Sequence, residues 1–477
     1  MPSLAAVLPF SDKAFHIDDT FYLMVSRQIL EDPLRPYSFT IDWGERPTFA
    51  FDEDNNPPFY CYWVAAVMAC FGESERPLHL AMLPFTALAA GSMLWLCRRF
   101  LRFPVAPAMV FILGPAFLPS QNVMLDVPLV ALCLAAMACF IHGVDAGTRA
   151  ALVWAGVLSG LAILTKYSGL VLLPLLAVYG WSRGRPRTAL FLLIPLAMLG
   201  LWGLHGYLVY GRPHFIGRGL PGGQAARLGV LLQASARSLA GCAFTAGLLL
   251  GMPWTWKRAQ AAAASIAGAF LAGWPWSGSF SQHLLEGAFV LNLAAMILAL
   301  GWAAGRTLHG RVWKAGEGNG NADLLLLLLW AAAFLAFNLI AAPFVSVRHV
   351  LPALPPVLIL AFRRLEDVGM PPAPFQRASA LSTVAVTALF GFLVAAADQE
   401  YAGVYREAAP QLSRAVEKLG APARFVGHWG WQYYAEATGL KAFSIEEPPL
   451  ATGSLLVLAA WVPRQWPEQR QRFEDLF

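Results

Sequence analysis

Charge is scarce in this 477-residue chain: Asp, Glu, Lys and Arg together make up 13%, about half the share found in soluble domains. The six cysteines (Cys61, Cys70, Cys97, Cys133, Cys139, Cys242) show no CxxC or ligand spacing and sit in or beside apolar runs. They read as buried thiols, which excludes a disulfide scaffold. The nine histidines form no HExxH or paired-ligand pattern. Basic runs interleaved with aromatics in a polar context are also missing, so no nucleic-acid partner is expected.

Apolar residues take the place of charge. They make up 57% of the chain, and mean hydropathy is +0.54. A soluble core cannot hide so much apolar surface. The composition therefore excludes a soluble enzyme and a disordered chain, and leaves a polytopic membrane protein. Its apolar runs are long and unalternating, so the spans read as helices rather than barrel strands.

Runs long enough to cross a bilayer, or nearly so, fall at about 78–97, 105–119, 122–142, 150–164, 167–182, 188–209, 228–252, 259–277, 284–304, 323–342, 348–363 and 378–397. That predicts about 12 transmembrane helices. The run 59–71 is shorter, as an interfacial or re-entrant segment would be. If 59–71 does not cross, the loops at 98–102, 149, 183–187, 257–258, 306–314 and 363–377 share one side and hold fifteen Lys and Arg, against six on the other. The basic side is then cytoplasmic. Residues 1–77, the 120–127 turn, the 211–227 loop, the 343–349 turn and the tail after 397 face outward. The predicted organisation is an outer first loop with juxtamembrane helices (1–77), a helical transmembrane domain (78–397) and a small extracytoplasmic α/β domain (398–477). The inverted symmetry common in secondary transporters is not evident.

Polar residues worth attention collect on the outward side. Asp18 and Asp19 open a helix that carries Tyr22; a plain N-cap is the alternative reading. Asn56 and Tyr60 flank Pro57-Pro58-Phe59, which stiffens the start of the 59–71 segment. Asp126 precedes Pro128 between two spans, where a carboxylate is costly unless it caps the helix or serves function. Lys166 interrupts an apolar stretch, either snorkelling to the interface or binding an anion. Arg348 and His349 stand at the outer start of a span, as a phosphate site or an interfacial anchor. Acids and cations sharing one bilayer face suit a reaction between a polar nucleophile and a lipid phosphate ester.

In order, Asp18-Asp19-x-x-Tyr22, Asn56-Pro57-Pro58-Phe59, Arg76-Pro77-Leu78, Asp126-Val-Pro128, Leu164-Thr165-Lys166 and Arg348-His349-Val-Leu-Pro352 resemble the GT-C membrane glycosyltransferases. The nearest branch is the family 39 or protein-mannosyltransferase type, which includes aminoarabinose transferases of the bacterial envelope. The resemblance spans roughly 15–365. It implies a GT-C-like, mainly α fold and transfer of a sugar, hexosyl or pentosyl, from a polyprenyl-phosphate donor outside the cytoplasmic (inner) membrane. By the same resemblance Asp18 and Asp19 are the catalytic acids. Lys166 and Arg348, with His349, contact the donor phosphate, and Asp126, Tyr22, Asn56 and Tyr60 bind sugar or acceptor. No cofactor is required. Asp18 and Asp19 could alternatively hold a divalent cation, as in some members. The partners implied are the lipid donor, membrane lipids and a lipid, glycan or protein acceptor. Four features depart from the family, one being Tyr167 and His349 in their motifs, which suggest a divergent subgroup whose acceptor does not carry over. Members carry a transmembrane helix before the acidic pair, whereas here 17 residues precede Asp18 and the apolar part, Leu4–Phe10, is too short to cross. The second acid is Asp where many have Glu. Asn56 stands where others have His or Lys.

The expected chemistry is an inverting single displacement, with Asp18 as the base. A lipid-linked-sugar flippase and a non-catalytic membrane scaffold are the competing readings. The aromatics Trp429, Trp431, Tyr433 and Tyr434 could stack on sugars or build a small core.

Overall fold

The computed structural model describes residues 2–44, 46–216, 224–250, 261, 263–268, 280–309, 319–367, 373–446, 448, 450–459 and 462. It is mainly helical. Among the described residues six helices are long and apolar enough to cross a membrane: Glu75–Phe100, Asp126–Ala146, Pro186–Tyr210, His283–Leu308, Asn321–Ala341 and Arg377–Leu419. Phe59–Phe71, Arg149–Thr165 and Tyr167–Ser182 are apolar but shorter. Leu190, Leu201, Leu204, Leu208 and Leu393 point outward with most of their surface exposed, as side chains facing lipid must. The chain is a multi-pass membrane protein.

Several hydropathy runs are subdivided. The run at 105–119 yields only Val105–Leu113 as helix, because Gly114 and Pro115 follow. The run at 228–252 divides into Gln224–Cys242 and Ala246–Leu250. The run at 348–363 opens as a tight 3₁₀ turn, Val347–Ala353, before the helix Leu354–Asp367, whose first turn carries Pro355 and Pro356. Most of the run at 259–277 lies outside the described residues. The last run does not stop at 397: Ala373–Leu419 is one 47-residue helix. It runs on through Gly403 and Pro410 and carries its apolar half directly into a polar half.

The core is centred on Asp126–Ala146, with sixteen of its 21 residues buried. The helix ends where Gly147 turns left-handed at φ 70°. The neighbouring helix Arg149–Thr165 presents Gly156 and Gly160 one turn apart. A Cβ at Gly156 would lie 2.6 Å from the Phe191 carbonyl oxygen, so only glycine permits this approach between helices.

The two ends of the bundle differ. At the end of Asp126–Ala146 marked by Asp145, Arg99 contacts Asp145 at 2.8 Å and Asp323 at 3.0 Å. Arg183 contacts the same two acids at 2.6 and 3.4 Å. This network joins four helices. The opposite end, about 30 Å away along a 21-residue helix, begins at Asp126.

Beyond Leu419 lies a small parallel sheet in the order β4-β3-β5, made of Lys441–Ala442 (β4), Ala423–Val426 (β3) and Leu455–Leu458 (β5). The crossover from β3 to β4 contains the helix Trp429–Ala437. An antiparallel pair, Thr40–Ile41 (β1) and Thr48–Phe49 (β2), forms in the N-terminal region.

Asp323→Ala should test the four-helix ion network. It would leave Arg99 and Arg183 sharing one carboxylate, and stability in detergent should fall by about 3–5 kcal/mol. Thermal unfolding of the purified protein checks this.

Candidate active site

A cavity of about 490 Å³ opens at the Asp126 end of the bundle. Its wall draws on six separate parts of the chain: the start of the Asp19–Glu31 helix, Trp43, the 53–56 turn, the start of the Asp126 helix, the 166–168 corner and the segment 334–352.

Asp18 occupies the N-cap position of Asp19–Glu31, yet its side chain caps nothing. Its Oδ2 instead accepts a 2.6 Å hydrogen bond from Arg348 Nη2. Asp126 opens its helix, where the dipole favours negative charge. Lys166 Nζ donates to Asp126 Oδ1 at 2.8 Å, and Arg348 Nε lies 3.7 Å from Asp126 Oδ2. An unbroken chain therefore runs Asp18, Arg348, Asp126, Lys166. Lys166 can reach because the backbone turns extended there, between the helix Arg149–Thr165 and the 3₁₀ turn that follows. The corner replaces the snorkelling reading with a specific ion pair.

His349 lines the same cavity. Its Nδ1 accepts from the Ser346 backbone N–H at 3.2 Å, which makes Nε2 the protonated nitrogen of the neutral ring. Tyr22 also lines it. Burial, aided by Asp18, Asp54 and Asp126, pushes its phenol well above the ordinary range, so it stays a neutral hydroxyl. Asn56 completes the set of predicted residues on this wall; its N–H donates to Asp54 Oδ1 at 2.8 Å.

Two predicted residues lie elsewhere. Tyr60 is 1% exposed and donates to Met82 Sδ at 3.0 Å, inside the core rather than on the cavity. Asp19 is fully buried behind the site and accepts the His16 N–H at 2.9 Å. Consecutive residues at a helix start diverge by about 100°. Asp18 thus faces the cavity while Asp19 faces inward. The two carboxylates have different partners and do not converge on a shared cation position. Among the described residues no group of three His, Cys, Asp or Glu side chains is arranged to hold a metal.

The sequence reading passed over Glu53, Asp54, Trp43 and Tyr167, which also line the cavity. Asp54 accepts from Tyr37 Oη at 3.1 Å. Tyr167 Oη pairs with His214 Nδ1 at 2.8 Å and accepts from Trp202 Nε1 at 3.1 Å. Asp54 directly precedes the Asn55-Asn56-Pro57 turn, and a carboxylate beside a rigid turn was the available signal. Of the two readings of Trp429, Trp431, Tyr433 and Tyr434, the structure places these aromatics in packing. Trp431 and Tyr434 are buried in the second apolar cluster, with Trp429 and Tyr433 against it.

Burial pushes the Asp19 carboxyl up to about 6, opposed by His16 and its hydrogen bond. A carboxyl whose pKa rises on folding adds stability below its ordinary value, and that contribution is lost as pH climbs through about 6. Asp19→Asn keeps an acceptor for His16. It should match wild type near pH 4 and gain up to about 3 kcal/mol over it by pH 8. Melting curves of both proteins across that range check the difference.

Residues 55–204 match the family described as dolichyl-phosphate-mannose-protein mannosyltransferase. No curated protein sequence matches the chain. Among solved structures, ArnT from Cupriavidus metallidurans bound to undecaprenyl phosphate is similar at a TM-score of 0.51 and 17% identity, over 91% of this chain and 83% of that one. The Archaeoglobus fulgidus oligosaccharyltransferase, tethered to an acceptor peptide containing the NVT sequon, is similar at a TM-score of 0.51 and 13% identity. That match covers 92% of this chain and 63% of the archaeal one, so the chain spans less than two thirds of that relative's length. A segment similar to that mannosyltransferase family, 55–204, thus lies within a fold that is similar to that of the solved ArnT over most of the chain.

Proposed function

We propose that the protein is an inverting glycosyltransferase that moves a sugar from a polyprenyl-phosphate donor to an acceptor on the outer face of the cytoplasmic membrane. One observation carries the reading: two carboxylates and two cations, from four separate parts of the chain, meet in one cavity at a helix end. The basic loops gather at the other end of the bundle, around Arg99, Arg149 and Arg183. That placement supports an outward-facing cavity.

The chemistry follows from the partners. The acceptor oxygen forms a bond to the anomeric carbon as the carbon–oxygen bond to phosphate breaks. The bonding pair leaves with the phosphate. A phosphate departs as a stable anion and needs no general acid, unlike the leaving oxygen in glycoside hydrolysis. Its charge is met by Arg348 and Lys166, with the His349 Nε2–H as a neutral donor. The acceptor hydroxyl is a poor nucleophile at neutral pH and gives its proton to Asp18. Arg348 is paired with Asp18 in the structure. A donor phosphate competes for the same guanidinium and releases the carboxylate to act as base. Asp126 remains as the fixed anion that holds both cations in place, while Tyr22, Asn56 and Asp54 face the sugar or acceptor. This mechanism uses no divalent cation, since Asp18 and Asp19 face different ways and do not converge on one position.

Transfer of labelled sugar from polyprenyl-phosphate donors in reconstituted liposomes tests the reading. Asp18→Asn should lower turnover by about 10²–10⁴-fold with protein level and donor binding preserved. Lys166→Gln should act mainly through a higher donor KM. Turnover of Asp18→Asn equal to wild type would remove Asp18 from the chemistry. Donor movement across the bilayer without transfer would indicate a transporter.

A further inference from the structure

The residues just before Asp18 are held by a part of the chain almost 400 positions away. Ile17 has φ 50°, a left-handed conformation that is strained for a β-branched residue. Such strain persists only where the surroundings over-determine it. Every residue from Lys13 to His16 is fixed by the C-terminal region. Lys13, 3% exposed, forms an ion pair with Asp398 on the long helix Ala373–Leu419 and donates to Asn122 Oδ1 at 2.5 Å. Ala14 lies in the apolar cluster of Ala402, Tyr405 and Trp431. The Phe15 N–H donates to Tyr434 Oη at 2.9 Å. His16, 1% exposed, sets Nε2 3.2 Å from Asp398 Oδ1. Gly430, in the first turn of Trp429–Ala437, lies directly on this backbone: a Cβ there would collide with the Phe15 carbonyl oxygen and lie 3.0 Å from His16 Cα.

We propose that the C-terminal region, from Asp398 through the helix Trp429–Ala437, is the positioning element for Asp18, with Asp398 and Gly430 as its key positioning residues. It clamps Lys13–His16 so that the chain passes through the strained Ile17 and delivers the Asp18 carboxylate to Arg348. Neither Asp398 nor Gly430 lines the cavity. The proposal rests on the transferase reading for its effect on catalysis, but its structural core can be measured without any turnover.

The experiment uses the full-length protein in nanodiscs. Amide hydrogen exchange over residues 13–19 is measured alongside kcat and donor KM for wild type, Asp398→Ala, Gly430→Ala and Arg414→Gln, an exposed control on the same long helix. The expected result for Asp398→Ala and Gly430→Ala is faster exchange confined to 13–19. kcat should fall by about 10²-fold while donor KM stays unchanged, since a misplacement near 1 Å can cost that much. Arg414→Gln should match wild type in every reading. Unchanged exchange at 13–19 in both variants overturns the proposal, as does faster exchange there with kcat intact. If Asp398→Ala loses protection throughout the bundle, Gly430→Ala, which adds a single methyl, decides by the same criteria. If wild type transfers no sugar, the transferase reading fails, and the exchange pattern still decides whether the clamp exists.

Discussion

Asp126 is the group on which the cavity depends. It is buried at the start of the most buried of the six apolar spans, and its two cationic partners offset the cost of a carboxylate there. Lys166 and Arg348 are anchored in turn by Asp126, one from the corner after Arg149–Thr165 and the other from the 3₁₀ turn before Leu354–Asp367. Three elements remote in sequence are thereby tied at one point. Asp18 joins as the fourth member, the most exposed of the chain at 30% of its side chain. That order of burial suits the chemistry, since the deepest anion fixes the cations and the shallowest is free to exchange its partner.

Both ends of the bundle use the same physical device, two acids crossed with two cations, but with different access. At the Asp145 end the network is closed among four helices, each arginine bridging both acids. At the Asp126 end the equivalent network sits on the wall of a space of about 490 Å³. The difference comes from the connections. At the first end the described connections 101–104, 147–148 and 183–185 are short. At the second, the helix starts are held apart by the acidic-pair segment, the Asn55-Asn56-Pro57 turn and the Ser346–His349 turn, all irregular and all polar. Irregular backbone at membrane depth is tolerated where it lines a polar cavity, and here it does.

Much of this was legible in the sequence. Low charge and long apolar runs gave the helical membrane fold, and the isolated ionic residues Asp126, Lys166 and Arg348 stood out because each interrupts an apolar context. What sequence spacing could not show was direction. Asp18 and Asp19 look equivalent as a pair, yet one helical step separates the cavity from the core. Tyr60 sits beside the Asn56 turn but points to Met82. The continuation of the 378–397 run into one long helix was hidden because the switch from apolar to polar composition, with Gly403 and Pro410 just after it, looks like a boundary. The clamp on Lys13–His16 was invisible for another reason: its partners, Asp398 and Gly430, come together only through the tertiary fold.

The claim at the centre of this account is that the Asp126-anchored cations form a seat for a lipid-borne phosphate. Direct binding of polyprenyl phosphate and of the uncharged polyprenol to the purified protein, wild type against Arg348→Gln, tests it most directly. Wild type should bind the phosphate form strongly and the alcohol weakly, and Arg348→Gln should erase that preference while leaving binding of the alcohol unchanged. Equal binding of both lipids by wild type, or an undiminished preference in Arg348→Gln, would contradict it.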